Sequence, residues 1–150
     1  MYEIEITSKK EFKNVKGIKT LSDVLDFGIK NIQKIDYCSL YAIDGDIKFQ
    51  EAETIASELL SDKITETYKL NRSSYNIPVL DIWYKEGVTD ATAESVVKAV
   101  RDLNICKKIQ VKTGHRYCFY GKMSKASIEN IAVKLLANVL IQEYEINLVK

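Results

Sequence analysis

Apolar side chains recur along this chain with two periods, and together these predict the same order of elements twice. A period of two is typical of half-buried strands and occurs over residues 2–7, 35–43, 64–70, 78–85, 107–120 and 140–148. A period of three to four is typical of amphipathic helices and occurs over residues 21–32, 52–60, 93–103 and 128–136. Each half of the chain therefore predicts a β-α-β-α-β unit of the α+β class, a small antiparallel or mixed sheet with its helices on one face.

Local signals refine these boundaries. The Lys-rich residues 8–19 predict an exposed connection, after which Thr20 is a candidate N-cap of the first helix. Asp90 is a candidate N-cap of the third helix. The pair Thr113-Gly114 predicts a bend or bulge within the strand over residues 107–120.

The two halves are copies of one another. Residues 40–70 align without a gap on residues 116–146 at an offset of 76, and 8 of these 31 positions are identical. About two identities are expected by chance from average composition. Upstream, the match predicts a skip of two residues in one loop, so that Ile29 pairs with Leu103 at an offset of 74. The shared positions are mostly apolar, so the copied property is structural.

The duplication predicts two similar lobes packed as a pseudo-dimer. We expect the first repeat at residues 1–71, a short polar linker at 72–76 and the second repeat at 77–150. Each repeat is near the size at which a lone core is marginal, so a shared buried face would stabilise both. The sheet face without helices is one surface that could meet the partner lobe.

Composition narrows the class of protein. The net charge of +1 gives no indication of a polyanionic partner, and the 11 basic and 13 acidic residues of 1–75 argue further against nucleic acid. Three cysteines without metal-type spacing are typical of reduced thiols, and we expect a cytoplasmic protein with no membrane association. No signal peptide is expected from the acidic opening, and no apolar run is long enough to cross a bilayer.

Candidate chemistry is sparse. His115 is the only histidine, and its basic surroundings favour a surface-loop residue over a catalytic base. The acids near Gly45 lack the spacing of a calcium loop, and no glycine motif for phosphate is present. We therefore predict no catalytic, cofactor-binding or metal-binding residues. Glu66 and Gln142 occupy the same position in the last strands, where an interface contact and simple exposure at a sheet edge are both open.

Several segments of the second half carry a family resemblance. The run from Tyr84 to Asp90 resembles the opening loop of the PurS family, the small subunit of phosphoribosylformylglycinamidine (FGAM) synthase. Arg101-Asp102-Leu103 followed by Lys112-Thr113-Gly114 is similar to the family's helix end and central strand, and residues 137–146 resemble its closing strand. The resemblance covers residues 77–147, and the first half is a weaker copy without the glycine-valine loop. Val139 and Asn104 depart from a proline and a glycine that the family usually has.

The resemblance implies a role in purine biosynthesis. PurS-like subunits associate with a PurL-type synthetase and a PurQ-type glutaminase, and they bridge the two for ammonia transfer without an active site of their own. It also implies self-association, with the tandem copy resembling a fused dimer. Implied partner-contact residues are those of the family-like segments: Lys85, Gly87, Val88, Asp90, Gly114, Arg116 and Tyr117.

Two other interpretations remain open at this point. The chain could be the amino-terminal PurS-like domain of a longer FGAM synthetase. It could also be a regulatory module that binds a small molecule between its lobes, as ACT-type modules do.

Overall fold

The computed structural model describes residues 1–71 and 75–148, and its strands form one six-stranded antiparallel sheet. The strand order is β3-β1-β2-β5-β4-β6. The strands are β1 (Tyr2–Ser8), β2 (Ile32–Gly45), β3 (Glu66–Leu70), β4 (Val79–Tyr84), β5 (Ile109–Gly121) and β6 (Gln142–Asn147). The helices are α1 (Val15–Asp26), α2 (Phe49–Thr54), α3 (Ala91–Asp102) and α4 (Lys125–Ile131), where α2 and α4 continue as π-helical turns over Ile55–Leu60 and Ala132–Leu136.

The α+β class and the repeated β-α-β-α-β order are confirmed, but the two predicted sheets are joined. The long central strands β2 and β5 pair antiparallel along almost their whole length, from Ile32 opposite Gly121 to Gly45 opposite Ile109. The repeats therefore meet edge to edge through backbone hydrogen bonds. The face without helices does not lie between them.

One constant offset relates the repeats, so the predicted skip of two residues is wrong. Helix α1 begins at Val15 and α3 begins at Ala91, which are 76 residues apart. The skip arose because Ile29 was aligned with Leu103, whereas the structure places Ile29 and Ile105 in equivalent turns. Their N–H groups donate to the carbonyls of Val24 and Val100, respectively.

All four helices pack on one face of the sheet, and each pairs with a helix of the other repeat. One buried cluster joins the π-helical extension of α2 to α3 and contains Ile55, Ala56, Val96 and Val100. The other joins α1 to α4 and contains Val24, Ile128, Ile131 and Ala132. Since burial of apolar area is the main stabilising term, the two repeats share their core and stabilise one another.

The first helix starts earlier than predicted because its cap is set by a distant strand. The Asn14 carboxamide accepts from the Gly17 N–H and also bonds both backbone groups of Tyr37, 23 residues away. Thr20 lies inside the helix, where its hydroxyl donates to the Lys16 carbonyl. Residues 8–19 are therefore only partly a connection.

The predicted bend at Thr113-Gly114 is also wrong, since β5 pairs continuously with β2 through both residues. Gly114 is required by a close approach instead. A Cβ atom there would lie 2.7 Å from both the Ile82 carbonyl oxygen and the Trp83 ring. Asn104, in contrast, is the predicted left-handed residue, with φ of 56° after α3.

Residues 72–74 of the predicted linker lie outside the described residues. Among the described residues, each helix falls short of the length and apolar character needed to span a bilayer.

Candidate functional site

The two repeats are related by a pseudo-two-fold axis that passes through the middle of the sheet. Ser39 and His115 are 76 residues apart and lie directly opposite each other in the β2–β5 pair. A residue that pairs with its own repeat mate must lie on the axis. Because all helices lie on one face, this axis runs perpendicular to the sheet.

A polar crevice opens on the helix face at this axis, between the two apolar clusters. It has a volume of about 240 Å³. Its floor consists of residues from β2 and β5, and its walls of residues near the starts of α1 and α3. The lining residues are Lys16, Tyr37, Ser39, Leu40, Tyr41, Tyr84, Thr92, Thr113, Gly114 and His115.

His115 is a half-buried residue of β5 on the crevice floor, so its assignment to a surface loop is wrong. Its Nδ1 lies 2.5 Å from the Tyr37 hydroxyl. Burial lowers the pKa of His115 below its ordinary value, and the nearby ammonium of Lys16 lowers it further, while Asp90 acts in the opposite direction. The imidazole is therefore neutral at pH 7.

The crevice walls are fixed by two equivalent caps. Asp90 Oδ1 accepts from the Ala93 N–H at the start of α3, and its carboxylate also accepts from the N–H and hydroxyl of Thr113. Asn14 is the mate of Asp90 and binds α1 to Tyr37 in the same way. The predicted cap at Asp90 is confirmed, and it holds the start of α3 against β5.

Arg116 lies on the opposite face of the sheet, beside the axis. Its guanidinium bonds both oxygens of Asp81 at 2.7 Å, and its Nη1 lies 3.1 Å from Glu5 Oε2. Glu5 and Asp81 are repeat mates, and all three side chains are buried. Burial opposes the charge of Arg116, but the hydrogen bond and charge of Asp81 raise its pKa above its ordinary value. A third carboxylate, Glu3, lies 3.4 Å from Nη2, and desolvation raises its pKa.

This network joins the repeats and also binds the segment that connects them. The Tyr75 hydroxyl donates to Glu5, and the Tyr75 ring lies 5.3 Å from the Arg116 guanidinium carbon. The buried thiols of Cys38 and Cys118 lie on the same face, where Cys38 Sγ is 3.3 Å from Glu5 Oε1. Among the described residues, no group of three or more His, Cys, Asp or Glu side chains could hold a metal ion.

The seven implied partner-contact residues are not brought together. Lys85, Gly87 and Val88 form a surface loop after β4. Tyr117 faces the helices, because it pairs with the buried Leu80 and Tyr37 on that face. Asp90 lies in the crevice wall, while Gly114 and Arg116 are buried in the sheet. Only the loop residues are presented to a partner.

That loop lies against an exposed apolar turn. The Lys85 N–H donates to the Ile141 carbonyl, and the neighbouring Leu140 is 82 % exposed. In the first repeat the Lys9 N–H donates to the Thr65 carbonyl, beside Ile64, which is 75 % exposed. We call these equivalent surfaces the first corner (Lys9 and residues 62–66) and the second corner (residues 85–88 and 138–142).

The Glu66 and Gln142 side chains close these turns, which answers the question left open by the sequence. Glu66 Oε1 accepts from the Asp62 N–H and Gln142 Oε1 from the Asn138 N–H, both at 2.9 Å. The pair is therefore kept for local turn geometry.

Sequence reasoning missed Lys16, Tyr37 and Asn14 as residues of the central site. A signal for Asn14 was present, since the offset of 76 applied to Asp90 leads directly to it. Tyr37 and Lys16 had no such signal, because their role depends on the pairing of β2 with β5.

Comparisons with known proteins bear on the second repeat. Residues 79–150 match the family model of PurS, phosphoribosylformylglycinamidine (FGAM) synthase. A similar solved structure is the C2 crystal form of PurS from B. subtilis, which is 18 % identical with a TM-score of 0.37 and covers 49 % of this chain and 100 % of its own. No curated protein matches the chain.

The first repeat follows the second element by element at one offset. The chain is therefore a tandem pair of PurS-like repeats, the second of which carries the match to the PurS family.

Proposed function

We propose that this protein is a non-catalytic accessory subunit of an FGAM synthase complex in purine biosynthesis. The observation that carries this proposal is the PurS match over residues 79–150, together with the equivalent fold of the first repeat. The division into repeats at 1–71 and 77–150, joined by a linker at 72–76, belongs to the same proposal.

The proposed task is to bridge a PurL-type synthetase and a PurQ-type glutaminase so that ammonia passes between them. Support comes from the two corners, which are equivalent and lie on opposite sides of the pseudo-two-fold axis. Each presents a large apolar side chain to solvent although the turn itself is closed by polar groups. Exposed apolar side chains of this kind are typical of protein–protein contacts.

The arrangement also suits a rigid adaptor. The two repeats share a continuous sheet and interlocked helix pairs, so their corners keep a fixed separation. A bridge between two enzymes gains affinity when its binding surfaces are preorganised, because less conformational entropy is lost on association.

The test is reconstitution with the synthetase and glutaminase of the same organism. We expect the three proteins to co-purify in the presence of glutamine and nucleotide, and glutamine-dependent FGAM formation to require this chain. Ammonia-dependent activity of the synthetase is the internal control, since it needs no transfer between subunits. Full glutamine-dependent activity without this chain would refute the proposal.

Variants at the second corner sharpen the test. Leu140→Asn should leave the fold intact, because the side chain is almost fully exposed, and should weaken capture of a partner by about tenfold if the corner is a contact. Leu103→Asn is the matched control, an exposed leucine at the end of α3. Equal capture by both variants would remove the second corner from the interface.

A regulatory module that binds a small molecule, of the ACT type, is the second candidate function. The observation that favours it is the polar crevice on the axis between the repeats. Calorimetry with amino acids and purine nucleotides separates the two candidates, because only a regulatory module requires a ligand.

A further inference from the structure

The central crevice contains a cation that the fold does not neutralise. Lys16 is exposed at the start of α1, and its Nζ lies 4.7 Å from the centre of the Tyr37 ring. Within the described residues Lys16 has no salt bridge. The nearby carboxylate of Asp90 is engaged by α3 and Thr113. The ammonium of Lys16 therefore remains available to an anion.

His115 supplies a second polar group to the same space. A neutral imidazole carries one N–H and one acceptor nitrogen. When the Tyr37 hydroxyl donates to Nδ1, the proton of the ring resides on Nε2. The histidine is then a hydrogen-bond donor beside the ammonium of Lys16, whose charge acts on it.

The remaining lining selects the size and class of an occupant. The crevice of about 240 Å³ admits a molecule of few heavy atoms. Hydroxyl groups of Ser39 and Thr92 and the rings of Tyr41 and Tyr84 surround it, so both polar and apolar parts of a ligand find partners. One ammonium and one N–H donor match the two oxygens of a singly charged carboxylate. A doubly charged phosphate would leave charge uncompensated beside Asp90.

We propose that this crevice binds a small carboxylate of amino-acid size, with Lys16 and His115 as the groups that hold its oxygens. The proposal does not rest on the assembly role, because it concerns a site on the axis and not the corners. Its position between the repeats means that an occupant contacts α1, β2, β5 and α3 together.

The single histidine makes a direct test possible. Its imidazole C–H resonances in NMR spectra report on one residue only, so the full chain can be titrated with acetate, glycine, L-glutamine, L-glutamate and inorganic phosphate. We expect a saturable shift of the His115 resonances with at least one amino acid, at lower concentration than with acetate or phosphate. No saturable shift with any carboxylate up to about 10 mM, above the usual range of metabolite affinities, would overturn the proposal. Tighter binding of phosphate than of every carboxylate would overturn the ligand class.

Two variants of α1 separate binding from non-specific effects. Lys16→Gln should weaken the binding by about tenfold, since it removes a charge-assisted hydrogen bond. Lys19→Gln is the matched control, because Lys19 is exposed on the same helix and pairs with Asp23 outside the crevice. Equal affinities of both variants would refute the assigned role of Lys16.

The pH dependence gives an independent readout. A bound carboxylate favours the charged imidazole, so we expect the His115 pKa to rise on binding and the affinity to increase as the pH falls from 8 to 6. The titratable groups that face His115 are Lys16 of α1, Asp90 before α3, Tyr37 and Tyr41 of β2, and Tyr84 of β4. An affinity that stays constant over this interval would contradict a contact with His115.

Discussion

Replacement of Arg116 by methionine tests whether the buried ion network holds the repeats together. The change removes the positive charge but keeps a long side chain with apolar atoms. Glu5 and Asp81 then remain buried, 4 % and 5 % exposed, without their guanidinium partner. Glu3 loses its contact as well but is partly exposed.

The expected loss follows from what is left behind. Removal of one partner of a buried ion pair costs about 3–5 kcal/mol, because the remaining charge has neither water nor counterion. The Tyr75 hydroxyl still donates to Glu5, so we do not add a second full penalty for the second carboxylate. For a protein of this size, about 2–4 °C in Tm per kcal/mol gives a decrease of about 6–20 °C.

Urea unfolding at pH 7 measures the free energy directly, and Trp83 provides the signal because its ring packs on Gly114 beside Arg116. Lys34→Met is the control, since the ion pair of Lys34 with Asp36 is exposed and should contribute less than about 1 kcal/mol.

A further variant tests the cause of the loss. Combining Arg116→Met with Glu5→Gln and Asp81→Asn removes the stranded charges, and we expect it to recover most of the lost stability. A loss below about 1 kcal/mol for Arg116→Met alone, or no recovery in the combined variant, would refute the reasoning.

Three further predictions concern the crevice and its supports. Because the pKa of His115 is lowered in the folded state, stability should decrease as the pH falls through about 6.5, where the unfolded chain takes up the proton first, and His115→Gln should lose this slope in urea midpoints measured from pH 8 to 5. Gly114→Ala should destabilise by about 1–3 kcal/mol and change the Trp83 fluorescence, because the new methyl group meets the ring and a carbonyl; an unchanged spectrum and stability would contradict the close approach. Asp90→Ala and Asn14→Ala should each cost about 1–3 kcal/mol in thermal unfolding, since both remove a helix cap and a bond to the central strands, and a loss confined to Asp90→Ala would show that the caps are not equivalent.

The sequence pattern was sufficient where local rules decide the structure. The alternation of Ile4 and Ile6 with glutamates predicted β1, and Asp90 before an apolar stripe predicted α3. The repeat predicted the later elements as well, because its core positions are apolar in both halves.

Local rules failed where a partner far along the chain decides. Asn14 was overlooked as a cap because half of its bonds go to Tyr37 in the next strand, while Thr20 matched a cap by sequence alone. Gly114 suggested a bend, but the reason for a glycine there is the ring of Trp83 on β4. His115 could be placed in the crevice only once the register of β2 against β5 was known.

The axis through Ser39 and His115 has an evolutionary consequence. Two separate identical subunits would present the same side chain twice at such a point, so any change would alter both sides at once. Fusion into one polypeptide removes that restriction, since each half mutates alone. The centre of the molecule has used this freedom by placing a lone imidazole where its counterpart carries only a hydroxymethyl group, which gives an otherwise symmetric body a distinct front and back.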